Sequence, residues 1–183
     1  MEKITERGSN GVSMSEKEVR ALAESGERLN IQLTNDFAFK TTFQNKVALT
    51  GLLSALLELD PSEIRDLEFQ DRTLSKEYEE EKEGILDVKL LMNGSRKINI
   101  EIQVLPYTYW EERSLFYLAK YFVEGFQKGS SYNLLDTTIH ISILAFSLFE
   151  AENWYSVIEL RDRKTHRLYS DKMSLRVLQL NQI

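Results

Sequence analysis

The sequence predicts a mixed α/β domain, and three observations carry that reading. Apolar residues recur at helical spacing over 36–58. Two alternating stretches, 85–92 and 97–105, flank Asn93-Gly94-Ser95. A second helical stretch near 108–126 precedes a long β-branched run from Thr137 to Phe149. In chain order this gives helix, strand, hairpin, helix, strand and further strands, read as a largely antiparallel meander.

Residues 1–30 read as a flexible N-terminal extension. Gly8 to Ser13 is rich in Gly, Ser and Asn, and Ser15 with Glu18 is a capping-box pattern for a short helix. The domain occupies 31–183. Thr34 and Asn35 are candidate N-caps, followed by Phe37, Phe39, Phe43 and the leucines up to Leu57, with a break expected near Asn45. Asp60-Pro61 restarts a helical turn, and Leu67 to Gln70 reads as a short strand. The run 76–83 is acidic and reads as a solvated loop. Thr108 and Glu111 form a capping-box pattern for a helix ending at Gly129. Trp154–Leu160, Arg167–Tyr169 and Leu175–Leu180 are the remaining expected strands.

Composition narrows the chemistry. The chain has 183 residues, 42% hydrophobic and 28% charged, with a net charge of −6. It has no cysteine and only two histidines, His140 and His166. Thiol nucleophiles, disulfides and Cys-built zinc sites are therefore excluded, and any metal site must be built mainly from oxygen ligands, which favours a hard cation such as Mg²⁺ or Mn²⁺. No stretch has the length of a membrane span, and no targeting signal is visible, so a cytoplasmic location is the expectation.

The hairpin permits a register argument. Leu86, Val88, Leu90 and Met92 form one apolar row, and Ile98, Ile100, Ile102 and Val104 form the other. Both rows share a face if Met92 pairs with Arg96, across either a three-residue loop with Gly94 or Ser95 left-handed or a symmetric five-residue loop. That register sets Lys89 opposite Asn99, Ile85 opposite Gln103 and Asp87 opposite Glu101. Facing carboxylates repel unless neutralised. The residues leave three neutralisers open: a salt bridge to Lys89, a shared proton, or a shared divalent cation.

Taken in order, several segments resemble the PD-(D/E)XK nuclease family transposases. They are Asn35-Asp36-Phe37-Ala38-Phe39-Lys40, Gly84 to Lys89, and Asn99-Ile100-Glu101-Ile102-Gln103. Arg113 with Tyr117 and Tyr121, and Gly129 to Tyr132 before an Ile-rich strand, complete the set. The resemblance implies a restriction-endonuclease-like core, a mixed sheet with flanking helices. It implies a metal-dependent endonuclease acting on double-stranded DNA in transposition or recombination, with Mg²⁺ or Mn²⁺ as cofactor. By position, Asp87 and Glu101 match the metal ligands, and the Ile102 carbonyl between the polar positions is a further candidate ligand. Gln103 stands where the wider superfamily has lysine, and Asp36 matches a supplementary acidic residue. Lys89 or Lys82 could supply the missing positive charge. Relatives usually carry a further helical region after the last strand, so a piece lacking it is expected here. Cutting both strands would suit a homodimer.

The charge is unevenly spread. Residues 1–92 hold 12 basic and 19 acidic residues, whereas 93–183 hold 11 and 10. Arg161, Arg163, Lys164, Arg167, Lys172 and Arg176 form a basic stretch able to meet phosphates. Arg113, Tyr117 and Tyr121 share one helix face and could line the cleft, and His140 reads as structural. Two other readings compete: a catalytically silent DNA- or protein-binding domain with the same fold, and a carboxylate-pair hydrolase acting on sugars.

Overall fold

A computed structural model describes Lys17, Ala21, Ser25 and residues 35–74, 84–149 and 153–183. The capping box at Ser15 and Glu18, the Thr34 cap, the acidic run 76–83 and Lys82 lie outside the described residues.

Two short helices open the domain: α1 (Asp36–Phe43) and α2 (Lys46–Leu57). The expected break at Asn45 is present. Asn45 caps α2 by accepting the Val47 and Ala48 amides, and Asn35 caps α1 through the Ala38 amide at 3.1 Å. A 3₁₀ turn at Pro61–Glu63 leads to β1 (Leu67–Phe69).

Then come β2 (Thr73–Leu74), β3 (Gly84–Ile85), β4 (Val88–Met92) and β5 (Arg96–Gln103). The predicted hairpin register holds: Met92 faces Arg96, Lys89 faces Asn99 and Val88 faces Ile100. The loop departs slightly from expectation, with Asn93 and Gly94 as its left-handed residues. Asn93 can adopt that conformation because its side chain is tied to the Arg65 and Asp66 amides and the Glu63 carbonyl. The first hairpin strand is shorter than expected. It bends at Asp87, and Ile85 pairs with Thr73 in a separate two-stranded sheet instead of with Gln103.

Helix α3 (Trp110–Val123) carries the chain to β6 (Thr137–Leu144), followed by β7 (Tyr155–Arg161) and β8 (Leu168–Gln179). The α3 boundaries correct the sequence expectation. No side chain caps its start, and it ends well before Gly129. Its last carbonyls are held by the Lys97 amine, which donates to Tyr121 O at 3.1 Å and Glu124 O at 2.7 Å. The two expected strands at 167–169 and 175–180 are one strand, β8.

The main sheet has the order β1-β4-β5-β6-β8-β7. Both β5–β6 and β6–β8 are parallel. The antiparallel meander is thus corrected to a mixed sheet with flanking helices. The reason is that α3 crosses between β5 and β6, which a helix does when it returns the chain to a parallel neighbour. One face of the sheet, with Val88, Leu90, Ile98, Ile100, Ile139 and Ile141, buries against Phe39, Leu49 and Leu53 of α1 and α2. The other face carries Lys97, Asn99, Glu101, His140 and Ser142 under α3. No helix among the described residues is long and apolar enough to cross a membrane.

Candidate active site

The polar face gathers its acidic groups where β4 stops. The β4–β5 ladder ends at Val88–Ile100, one position short of Asp87 and Glu101. At the bend the Asp87 side chain replaces the ladder: its Oδ2 accepts the Ile102 amide at 3.1 Å. Within one residue of a strand, N–H and C=O point to the same side, so the Ile102 carbonyl turns toward Asp87 too.

Helix α1 supplies the neutraliser. Lys40 Nζ lies 3.2 Å from Asp87 Oδ1, with the two side chains 28% and 24% exposed. Asp36 opens the same helix one turn earlier; its side chain lies outside the described atoms. Lys89 does not neutralise the pair. It is buried, ion-paired to Glu124 at 2.7 Å, and donates to the Thr73 carbonyl. The short, partly exposed position of Asp87 suits the longer reach from α1.

Glu101 is buried, and neither carboxylate oxygen has a hydrogen-bond partner among the described residues. Burial pushes its pKa up to about 8; the Arg113 charge and the nearby Asn99 amide pull the other way, and the neighbouring Asp87 charge adds to the rise. Arg113 Nε is 3.8 Å from Glu101 Oε2, and the guanidinium is wedged among the Tyr107, Trp110 and Tyr117 rings, 5.2–5.7 Å from each centroid. Gln103 donates from Nε2 to the Leu105 carbonyl at 3.0 Å, which leaves its Oε1 as an acceptor.

Asp87, Glu101, the Ile102 carbonyl and Gln103 are thus gathered where β5 ends and β4 begins. A buried carboxylate with two unpartnered oxygens beside a second carboxylate fits a hard cation. The protein ligands are few: no group of three or more His, Asp or Glu side chains able to hold a metal occurs among the described residues. Lys40 is the residue that sequence reasoning passed over. The signal was its place four residues after Asp36, on the same helix face.

Other expectations are corrected here. Tyr117 and Tyr121 are buried, and the Tyr121 hydroxyl lies 3.0 Å from the Leu90 carbonyl and 2.8 Å from Gln70 Oε1, so they pack instead of lining an open cleft. The basic stretch does not form one surface. Arg176 sits on the helix α1–α2 side of the sheet, level with Ile141, and Lys172 donates to the Leu135 carbonyl. His140 is structural as expected: Asn99 and Ser142 bracket its ring nitrogens at 2.8 and 3.1 Å.

Comparison with known proteins gives one finding. A family model described as PD-(D/E)XK nuclease family transposase matches residues 33–183. No curated protein and no solved structure gives a match.

Proposed function

The chain belongs to the PD-(D/E)XK nuclease family transposases, and from that premise we propose that it is a metal-dependent endonuclease hydrolysing phosphodiester bonds of double-stranded DNA. The observation that carries this is the buried Glu101 carboxylate, with no hydrogen-bond partner within 3.5 Å among the described residues, beside Asp87 at the end of the hairpin. Asp87, Glu101 and the Ile102 carbonyl would hold Mg²⁺ or Mn²⁺. When bound, such a cation lowers the pKa of a coordinated water and polarises the phosphate.

The chain's own residues do the rest. Lys40, held by Asp87, offers the positive charge that Gln103 cannot, and it meets the extra negative charge on the phosphate as the bond breaks. Gln103 Oε1 accepts a hydrogen bond from the attacking water and orients it. Arg113 balances the two carboxylates from α3, and Asp36 assists from the start of α1. A cytoplasmic homodimer acting in transposition or recombination belongs to the same reading.

The test is plasmid cleavage with Mg²⁺ or Mn²⁺, comparing the wild type with Asp87→Ala and Glu101→Ala. Metal-dependent nicking that vanishes in both variants supports the reading; nicking that survives both overturns it. A silent binding domain is the second reading, favoured by the Gln103 amide tied to Leu105 in place of a lysine. It predicts no Asp87-dependent metal binding.

A further inference from the structure

We propose that the β7–β8 hairpin tip is a second nucleic-acid site, gripping DNA phosphates away from the carboxylate edge. Its choice of partner rests on the DNA-cutting reading above.

The tip is a closed, ordered turn. The Asp162 amide donates to Arg167 O and the His166 amide to Asp162 O, both at 2.9 Å. The single acid in this turn spends its charge locally. Asp162 Oδ1 accepts from the Thr165 hydroxyl and amide, both at 2.7 Å, and from the Lys164 amide at 3.1 Å. Those bonds, the Thr165 hydroxyl first, hold its carboxyl below the usual range. Arg161 is also engaged, with Glu159 at 2.6 Å and with the His166 carbonyl.

What remains is Arg163, Lys164 and Arg167. All three are exposed, and none forms an ion pair among the described residues. Like charges on a tight turn repel, and the acid within the turn, Asp162, is occupied by Thr165 and the Lys164 amide. A phosphate backbone would neutralise them and release its condensed counterions, a gain that needs no base recognition.

Position separates this tip from the proposed catalytic edge. Glu101 is level with Ser142 of β6 and Val177 of β8. Ser156 of β7 faces Val177; from that level β7 runs to the tip and β8 runs back from it, on the side away from Gln103. Five residues of β7 or nine of β8, at ~3.3 Å per residue, put the tip roughly 17–30 Å along the strands from the level of Glu101. That span is roughly half to nearly one turn of duplex DNA, about 34 Å. The tip therefore meets phosphates other than the one being cut.

The experiment is fluorescence anisotropy of the full chain with a 30-base-pair duplex over a salt series, comparing the wild type with Arg163→Ala/Lys164→Ala/Arg167→Ala. The variant should fold with an unchanged melting temperature and unchanged Mn²⁺ binding. Its plot of log affinity against log salt should be shallower by ~2–3, at about 0.9 per phosphate contact. Arg163→Lys/Arg167→Lys should keep the wild-type slope. A wild-type slope in the triple-alanine variant overturns the proposal. So does that slope combined with lost self-association in sedimentation, which would assign the tip to an acidic surface on a second copy. The two readings fail separately. Tip-dependent DNA binding without metal binding at Asp87 sinks only the nuclease. Metal-dependent cleavage with tip-independent DNA binding sinks only the tip.

Discussion

Arg113 Nε stands 3.8 Å from Glu101 Oε2, beyond hydrogen-bond range, and the Glu101 oxygens find no other partner among the described residues. The cation compensates the buried carboxylate only in part, so its pKa rises to about 8 from an ordinary 4.5. Burial thus favours the protonated carboxyl, a preference that a cation bound beside Asp87 would reverse.

That proton has a measurable consequence. An unfolded Glu101 releases its proton above pH 4.5, whereas the folded one retains it up to about 8. The contribution to stability is fully present below pH 4.5 and lost as pH rises to about 8, then level. Glu101→Gln removes this titration while keeping the shape. The variant should gain melting temperature over the wild type across that window, by the equivalent of a few kcal/mol at pH 8. Thermal melts from pH 4 to 9 check it; parallel curves for the two proteins would contradict the account.

The Lys40–Asp87 pair invites a different measurement. Both side chains are about a quarter exposed, so the ion pair contributes only ~0–1 kcal/mol to stability. Lys40→Met should barely move the melting temperature. By removing a competing cation it should tighten Mn²⁺ binding to Asp87, read by calorimetry. Cleavage should nevertheless fall, by roughly ten- to hundred-fold if the ammonium stabilises the phosphate. A variant that loses stability and keeps full cleavage would make Lys40 a purely structural partner.

Much of this site was legible because alternation in a strand has only two outcomes. The apolar rows Val88-Leu90-Met92 and Ile98-Ile100-Ile102 had to share a face, and that alone put Asp87 and Glu101 together. What was not legible was non-local. Lys89 sits in the right strand to meet Asp87, but Glu124, at the end of a helix more than thirty residues on, takes it instead. The parallel pairing of β5 with β6 likewise depends on where α3 lands, which no local pattern encodes. The basic stretch illustrates the same limit: residues adjacent in sequence divide between an exposed turn and the sheet interior when a strand such as β8 runs from one to the other.

His140 supplies the acid limb of the stability profile. It is fully buried, and burial, with the Arg113 charge adding to it, lowers its pKa to about 3 from 6.5. The neutral ring is satisfied by Asn99 and Ser142. Its contribution is fully present above pH 6.5 and lost as pH falls toward 3, because only the unfolded ring takes up a proton there. His140→Gln should cost stability at pH 7, where a good partner is lost, and lose less than the wild type on acidification. Denaturant melts at pH 7 and pH 4.5 check it: the gap between the two proteins should narrow at the lower pH.

The buried Lys89–Glu124 pair separates structural charge from working charge. Lys89 is 5% exposed and Glu124 15%, with 2.7 Å between Nζ and Oε2. Lys89→Met alone leaves the Glu124 carboxylate without this partner in a poorly solvated place, and should cost about 3–5 kcal/mol. Lys89→Met with Glu124→Met removes both charges, and should recover most of that loss, since a buried ion pair gains little over apolar packing. If Lys40 is the working cation, the double variant keeps metal-dependent cleavage once refolded, whereas Lys40→Met does not. Urea titrations of the two Lys89 variants, followed by plasmid cleavage at matched folded concentration, would decide it. Lost cleavage in a fully folded double variant would return the role to Lys89.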